Sequence, residues 1–193
     1  MIPIIRDLLN YLTVLADVLI AILLLAILSI KMLKSDSRLK QHLRLFLTGF
    51  GNQAKFYLFL VAATATLGSL FFSEVAHFEP CKLCWFQRIF MYPLSILFLI
   101  AFVKKETKIR LFAVVMSAIG SVLAAYHYLL QVGNMYSIPV DQFTNCSTVG
   151  YSPSCSDFFI LSFGYITIPM MSLSAFLLIL ISLLIQKKFN LPD

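Results

Sequence analysis

The chain has 193 residues, of which 60% are hydrophobic and only 12% are charged, and its mean hydropathy is +0.90. These values exclude a water-soluble globular domain and predict an all-α polytopic membrane protein. The formal net charge of +6 does not indicate a nucleic-acid partner, because Lys and Arg collect in the cytoplasmic loops of membrane proteins.

Five apolar runs are long enough to cross a hydrocarbon layer of about 30 Å, which takes about 20 helical residues. We expect these spans at 8–30, 56–73, 85–103, 111–132 and 158–185. The first run lacks a small-residue cleavage site after a short apolar core, so we expect a retained span and not a removed signal peptide. Asp17, in the middle of this run, is costly in lipid and is expected to face another helix or the interface.

Charges between the runs predict the orientation. The segment 31–55 has six Lys and Arg against one acid, 104–110 has four and 186–188 has two, whereas 133–157 has none. Positive loops stay inside, so these three segments and the C-terminus are expected in the cytoplasm and the cysteine-bearing loops outside. With five spans the N-terminus is outside as well. If the first run lay flat on the membrane, the other four spans would keep their orientation.

The basic segment between the first two runs has two readings. Its apolar residues recur at helical spacing after Ser35 and Asp36 as possible caps, at Leu39, Leu43, Phe46, Leu47 and Phe50. This pattern indicates a short amphipathic helix on the anionic inner leaflet, or else a simple charged connector. Gly49 and Gly51 are expected to mark the turn into the next span.

Four cysteines fall in the predicted outer loops. Cys81 and Cys84 form a C-x-x-C motif, and Cys146 and Cys155 form a C-x8-C motif. Disulfides persist on the oxidising side of a membrane, so the even count and the pairwise grouping favour two disulfides. A zinc site usually has two closely spaced pairs, and covalent c-type haem needs a His directly after the second cysteine, where Trp85 stands. Both metal readings are therefore disfavoured.

The first cysteine pair has features of a redox pair. Pro80 precedes it and Trp85 begins an apolar run, which predicts that Cys84 lies at the N-terminus of a transmembrane helix. The positive helix end and Lys82 favour a thiolate there and make the disulfide labile. Arg88 lies about one turn deeper on the same face, where it could hold a thiolate or an acceptor oxygen, or could instead snorkel to headgroups.

The second pair lies in a long polar loop. The segment 133–157 is rich in Ser, Thr, Asn, Gly and Pro, and connections of that kind are usually functional or mobile. Taken alone, a disulfide between Cys146 and Cys155 is more often structural than catalytic. A redox-type C-x-x-C on the same face favours exchange with another protein. The rival interpretation is a membrane scaffold or transporter subunit with two structural disulfides.

Several runs together resemble a known family. They are GSLFFSEVAHFEPCKLCWFQRIFMYPL, then YHYLLQ at 126–131, then two loop cysteines followed by FGYITIPMMSLSAF. Over about residues 56–186 the chain resembles the disulfide bond formation protein B (DsbB) family and, within it, the Bdb-type thiol-disulfide oxidoreductases. The vitamin K epoxide reductase arrangement differs, because its C-x-x-C follows the loop cysteines.

The resemblance implies a four-helix bundle in the bacterial cell membrane that reoxidises an extracytoplasmic, thioredoxin-fold (DsbA-like) thiol oxidase and reduces a quinone, ubiquinone or menaquinone. It implies that the partner's thiolate attacks Cys146, and that Cys155 resolves this intermediate or links to Cys81. It further implies that Cys84 contacts the quinone and that Arg88 polarises it. Disulfide exchange only relays oxidation, so such a relay needs a final acceptor of different chemistry.

His127 also matches a family position. The resemblance implies that His127 hydrogen-bonds the quinone or shuttles a proton. Its neighbours form an aromatic interface belt, so simple anchoring at the membrane surface is an equal alternative. The resemblance divides the chain into an extra N-terminal helix with its basic linker at 1–55 and a four-helix transmembrane bundle at 56–193, and it gives the first 55 residues no role.

Overall fold

The structure is a computed structural model that describes residues 2–33, 38–52, 54–104, 109–136, 154–157 and 159–189. Within these ranges the chain forms α1 (Ile2–Met32), α2 (Arg38–Asn52), α3 (Ala54–Leu70), α4 (Lys82–Lys104), α5 (Arg110–Met135) and α6 (Ile168–Lys188). A π-helical turn, Phe71–Val75, extends α3. All of these helices except α2 are long and apolar enough to cross a membrane, which confirms the predicted all-α polytopic fold.

Helix α6 is the centre of the bundle, because α1, α2, α3 and α5 all pack against it. The main core contains large apolar side chains of α3, α4 and α6, among them Leu58, Leu94, Phe98, Phe176 and Ile179, and α5 contributes the small buried residues Ala113 and Ala124. Helices α5 and α6 pack closely at Gly120, where a Cβ atom would lie 2.3 Å from Cε1 of Phe176. Only glycine fits this crossing without a shift of the aromatic ring.

The basic segment forms a helix, but this helix does not simply rest on lipid. Leu47 of α2 is fully buried in a second cluster with Leu23 and Ile30 of α1 and Ile185 of α6. Part of the apolar face of α2 therefore packs inside the protein. An apolar stripe at helical spacing can be buried against neighbouring helices as well as against a membrane surface, so the sequence pattern alone does not distinguish the two. The expectation for Gly49 and Gly51 is wrong, because both residues lie inside α2.

Polar contacts attach α1 to the bundle. Asp17 accepts a hydrogen bond from Tyr165 Oη at 3.2 Å and another from Ser174 Oγ. About two helical turns earlier, Asn10 Nδ2 donates to Ser162 Oγ at 3.0 Å. These contacts confirm that Asp17 faces another helix. They also make α1 an integral part of the fold in this chain.

The last span starts later than the sequence predicted. Helix α6 begins at Ile168, not at 158, and the residues just before it form a non-helical turn closed by a bridge between Ser162 and Ile166. Phe163 and Gly164 have φ angles of 52° and 78° there. A left-handed backbone interrupts a helix whatever the hydrophobicity of the run, and Pro169 is then suited to the first turn of α6.

Candidate active site

The C-x-x-C motif lies at the start of α4. The carbonyl of Cys81 accepts the first helical hydrogen bond, from Trp85 N–H at 3.2 Å, so Cys81 is the N-cap and Cys84 lies in the first turn. This confirms the position predicted for Cys84. The two sulfur atoms are 3.4 Å apart, with Cys81 Sγ donating to Cys84 Sγ, and are therefore hydrogen-bonded thiols and not a disulfide.

On one side, Cys81 faces the second cysteine segment. Cys155 is fully buried and hydrogen-bonds with Cys81. The two cysteines share a small apolar cluster with Leu83 and Leu130. The structure thus brings the C-x-x-C motif together with one member of the second pair. Cys146 lies outside the described residues.

Two amides of α5 hold the segment that contains Cys155. Gln131 Nε2 donates to the carbonyl of Asp157 at 2.7 Å, and Asn134 Nδ2 donates to the carbonyl of Ser156 at 3.1 Å. These contacts fix the backbone immediately after Cys155 against the end of the bundle. Neither amide was predicted as a site residue from the sequence, although the run YHYLLQ includes Gln131.

His127 lies on α5 beneath the cysteines and is 1% exposed. Its Nε2 is 3.5 Å from Cys81 Sγ, and its Nδ1 is 3.0 Å from Gln87 Nε2. An amide can offer either a donor or an acceptor, so Gln87 orients the ring whichever nitrogen carries the proton. This burial excludes an anchoring role at the membrane surface and places the imidazole beside Cys81.

The environment of Cys81 favours the protonated thiol. The hydrogen bond with Cys155 lowers the pKa of Cys81, but the hydrogen bond with Cys84, burial and the charge of Cys84 raise it, to about 12 overall. The predicted stabilisation of a thiolate by the helix end and Lys82 therefore does not extend to Cys81. This thiol needs a neighbouring proton acceptor before it can react, and His127 is in contact with it.

On the other side of the motif, Cys84 lines a cavity of about 110 Å³. The cavity is walled mainly by apolar side chains of α1, α3, α4 and α6, and Arg88 and Gln87 also line it. His127 does not belong to this lining but to that of a neighbouring space of about 20 Å³. Cys84 lines both spaces, whereas Cys81 lines only the smaller one, so the two cysteines of the motif have different surroundings.

Arg88 is held inside the bundle. It is 9% exposed, and its Nε and Nη2 donate to the hydroxyl and the carbonyl of Ser69 on α3, at 2.9 and 3.0 Å. Its Cζ lies 5.0 Å from the ring centroid of Trp85. These contacts exclude snorkelling to headgroups. The guanidinium has further N–H groups, which can be offered to an acceptor in the cavity beside Cys84.

The two cysteines of the C-x-x-C motif and His127 are also close enough together to bind one metal ion. The ligand atoms of Cys81, Cys84 and His127 all lie within 4.8 Å of one another. Thiolates and imidazole are zinc ligands, but short sulfur–sulfur distances are equally what disulfide exchange requires. The cavity lining beside Cys84 and the contact between Cys81 and Cys155 are additional features that a closed metal site does not need.

Comparison with known proteins assigns the family. The model of the family "Disulfide bond formation protein DsbB" matches residues 51–186, more than half of the chain. The chain belongs to the DsbB family. As a DsbB-family protein it is a multi-pass membrane protein of the disulfide bond formation group, and helix α1 lies before the matched region.

Curated relatives of this DsbB-family chain include two proteins of Bacillus subtilis (strain 168). The SPbeta prophage-derived disulfide bond formation protein B is 40% identical over 122 residues, which cover 63% of this chain and 77% of the relative. Disulfide bond formation protein C is 40% identical over 128 residues, 66% of this chain and 88% of the relative. A probable disulfide formation protein C of Halalkalibacterium halodurans is 41% identical over 132 residues, 67% and 90%. No solved structure matches the chain.

Proposed function

We propose that this protein is a membrane thiol-disulfide oxidoreductase that reoxidises an extracytoplasmic thioredoxin-fold thiol oxidase and passes the electrons to a quinone. The observation that carries the proposal is the asymmetry of the C-x-x-C motif. Cys81 contacts Cys155, whereas Cys84 lines the cavity of Arg88. The names of the relatives, which are disulfide bond formation proteins, support the reaction class.

The charge distribution supports an extracytoplasmic position for the cysteines. The cations of the chain concentrate at the C-terminal ends of α1, α4 and α6, in α2 and at the start of α5, which is the end opposite to the C-x-x-C motif if all five long helices span. By the positive-inside rule that opposite end is cytoplasmic. The cysteines then face the oxidising compartment, where a partner thiol oxidase acts.

In the first step the partner's thiolate attacks Cys146 of a Cys146–Cys155 disulfide. Cys155 and Cys81 are buried, so a sulfur of another protein needs a more accessible target. The attack breaks the loop disulfide, forms a mixed disulfide and releases Cys155 as a thiolate. The partner's second thiolate then attacks its own half of the mixed disulfide. The partner leaves oxidised, and two electrons remain on the loop pair.

In the second step the electrons move to the C-x-x-C motif. Cys155 attacks Cys81 of a Cys81–Cys84 disulfide, which breaks that bond and releases Cys84 as a thiolate at the helix N-terminus. Cys146 then attacks Cys155, restores the loop disulfide and releases Cys81. His127 returns a proton to Cys81 Sγ, with which it is in contact. The loop pair is oxidised and the C-x-x-C pair is reduced.

The cavity beside Cys84 fits a quinone ring. It combines apolar walls, a reducing sulfur and a buried guanidinium with further N–H groups, which suits a flat ring with carbonyl oxygens. A bound quinone supplies an acceptor for two electrons and two protons, which disulfide exchange cannot provide. Cys84 would face this acceptor, Arg88 would hold its oxygen, and His127 would take the proton from Cys81 as the two sulfurs form their disulfide. The two electrons of the sulfurs would pass to the quinone, and two protons from water would complete its reduction.

Anaerobic thiol counting tests the oxidase activity. The purified protein is fully reduced, freed of reductant and mixed with a soluble quinone, and the remaining thiols are counted by maleimide gel shift. We expect two thiols to disappear for each quinone reduced. The Cys84→Ser variant, which retains every other cysteine, should leave the quinone oxidised. Thiols that persist in the unmodified protein would show that the proposal is wrong.

Trapping tests the order of transfer. In the Cys155→Ala variant the partner's mixed disulfide with Cys146 cannot be resolved from within the chain, so we expect a partner adduct on a non-reducing gel. Peptide mass spectrometry then identifies the cysteine involved. An adduct through Cys81 alone would contradict the proposed order.

A further inference from the structure

A second, larger cavity lies next to the one at Cys84. It has a volume of about 340 Å³ and lies between α1, α3 and α6, with the end of α2 at one side, and it is partly open to the outside of the bundle. Its lining is mainly aliphatic and contains no Lys, Arg, Asp, Glu or His among the described residues. Such a space suits a flexible hydrocarbon chain and offers nothing to a charged ligand.

The two cavities adjoin. Both are lined by Leu9 of α1, Thr64 and Ala65 of α3, and Met171 of α6. These four side chains lie between the cavity at Cys84 and the larger space, so the two cavities are neighbours. A ligand with its reactive head at Cys84 and a tail of several carbon units can occupy both cavities at once.

Helix α1 forms one wall of the larger cavity, through Leu12, Ala16 and Leu19 among others. This helix lies before the region that matches the family. It is nevertheless firmly attached, because Asp17 binds Tyr165 and Ser174 beside the cavity. The wall is thus a fixed feature that this chain adds to the family core.

We propose that the larger cavity binds the isoprenoid tail of the quinone whose head lies beside Cys84, and that α1 is the element that recognises this tail. The inference rests on the proposed function and deepens it. The adjacency of the two cavities favours a tailed quinone over a separate ligand. A phospholipid chain is the competing occupant, and the experiments below distinguish the two.

Binding measurements test this assignment without relying on turnover. Trp85 is the only tryptophan, and its exposed ring lies 5.0 Å from Cζ of Arg88, which lines the cavity of Cys84. The saturable part of the quenching of its fluorescence by a quinone therefore reports occupation of the head site, whereas quinone dissolved in the lipid contributes a part that does not saturate. The oxidised protein in lipid nanodiscs is titrated with a tail-less quinone and with quinones of the same head carrying isoprene units. Concentrations are expressed per lipid, so that partition into the bilayer is the same for each comparison.

We expect the tailed quinones to bind about fivefold more tightly than the tail-less one. The advantage is modest because the tail leaves an apolar solvent, the lipid, so that only better packing favours the protein site. In the Ala16→Phe variant, whose ring fills the larger cavity, this advantage should disappear while the tail-less quinone binds as before. Val18→Phe adds the same ring to the lipid-exposed face of α1 and should keep the advantage.

A second variant keeps the test valid if Ala16→Phe does not fold. Leu12→Ala removes packing surface from the same wall without adding bulk, and it should reduce the tail advantage while thermal unfolding stays close to that of Val18→Phe. If both variants retain the advantage, or if the unmodified protein shows none while still binding the tail-less quinone, the tail assignment is wrong and the proposed function stands.

Two other results would overturn the inference. If no quinone quenches Trp85 and none is reduced, the proposed function fails and the tail site fails with it. If mass spectrometry finds a phospholipid that co-purifies with the unmodified protein and with Val18→Phe but not with Ala16→Phe, and no quinone behaves in this way, the cavity is a lipid site.

Discussion

The imidazole Nε2 of His127 lies 3.5 Å from the sulfur of Cys81 inside the bundle, and Gln87 holds the other ring nitrogen at 3.0 Å. Burial and the neighbouring Cys84 keep the pKa of Cys81 high despite its hydrogen bond with Cys155. A thiol of high pKa thus contacts an oriented base. This pair explains how Cys81 could lose its proton when the C-x-x-C disulfide forms.

Replacement of His127 with Phe should slow reoxidation of the C-x-x-C pair by about a hundredfold, because Cys81 loses its proton acceptor. Stopped-flow measurement of thiol loss after addition of quinone gives this rate. His42 is exposed on α2, at the opposite end of the molecule, and His42→Phe is the matched control with an expected change of less than about twofold. Equal rates in the two variants would remove the role assigned to His127.

Alkylation of reduced Cys81 should increase steadily with pH. A pKa raised to about 12 leaves the thiol protonated at neutral pH, so the thiolate fraction grows about tenfold per pH unit up to about pH 10. Iodoacetamide labelling, with the peptide of Cys81 quantified by mass spectrometry, measures this rate. An ordinary cysteine would approach its maximum rate by about pH 9.5, and such a plateau at Cys81 would contradict the account.

Replacement of Arg88 with Leu should lower quinone reduction by about a hundredfold, because the acceptor oxygen loses a buried cationic donor. Exchange between the two cysteine pairs, measured with reduced partner and no quinone, should change little. Ser69→Ala removes one of the two contacts that hold the guanidinium, and we expect an effect of about fivefold.

Lys82→Leu is the control for charge alone, since Lys82 lies between the two cysteines but does not line the cavity. Its effect should stay below about threefold. A loss in Lys82→Leu as large as that in Arg88→Leu would show that a general positive potential, and not the position of Arg88, matters.

Replacement of Asp17 with Ala should destabilise the protein by about 1–3 kcal/mol, because Tyr165 and Ser174 lose the carboxylate that they share. Asp7 is the matched control on the same helix. Its only ion pair is an exposed contact with Arg6 among the described residues, so Asp7→Ala should change the free energy of unfolding by less than about 0.5 kcal/mol. Thermal unfolding in detergent compares the two variants, and equal stabilities would mean that α1 is not anchored through Asp17.

The sequence was sufficient for the number of long helices and for the start of α4. Span length follows from the thickness of the hydrocarbon layer, and Pro80 followed by an apolar run places Cys84 at a helix end. It was insufficient for the start of α6, because hydropathy does not register the left-handed turn at Gly164. Periodicity likewise identified the apolar face of α2 but not the protein surface against which Leu47 packs.

Most side-chain contacts of the site residues could not be predicted from the sequence. Ser69 has no distinguishing signal in an apolar helix, yet both of its oxygen atoms bind Arg88. His127 and Cys81 are 46 positions apart, and their contact depends on how α4 and α5 pack. The family resemblance assigned His127 to the quinone or to proton transfer, and the contact with Cys81 favours proton transfer.

The central claim is that Cys81 joins the two cysteine pairs, and the Cys84→Ser variant tests it most directly. Without Cys84 the reduced Cys81 has only the loop cysteines as disulfide partners, and Cys155 is already in contact with it. After mild oxidation and digestion under non-reducing conditions, mass spectrometry should find a peptide pair linked through Cys81 and Cys155. A link between Cys81 and Cys146, with none to Cys155, would contradict the account.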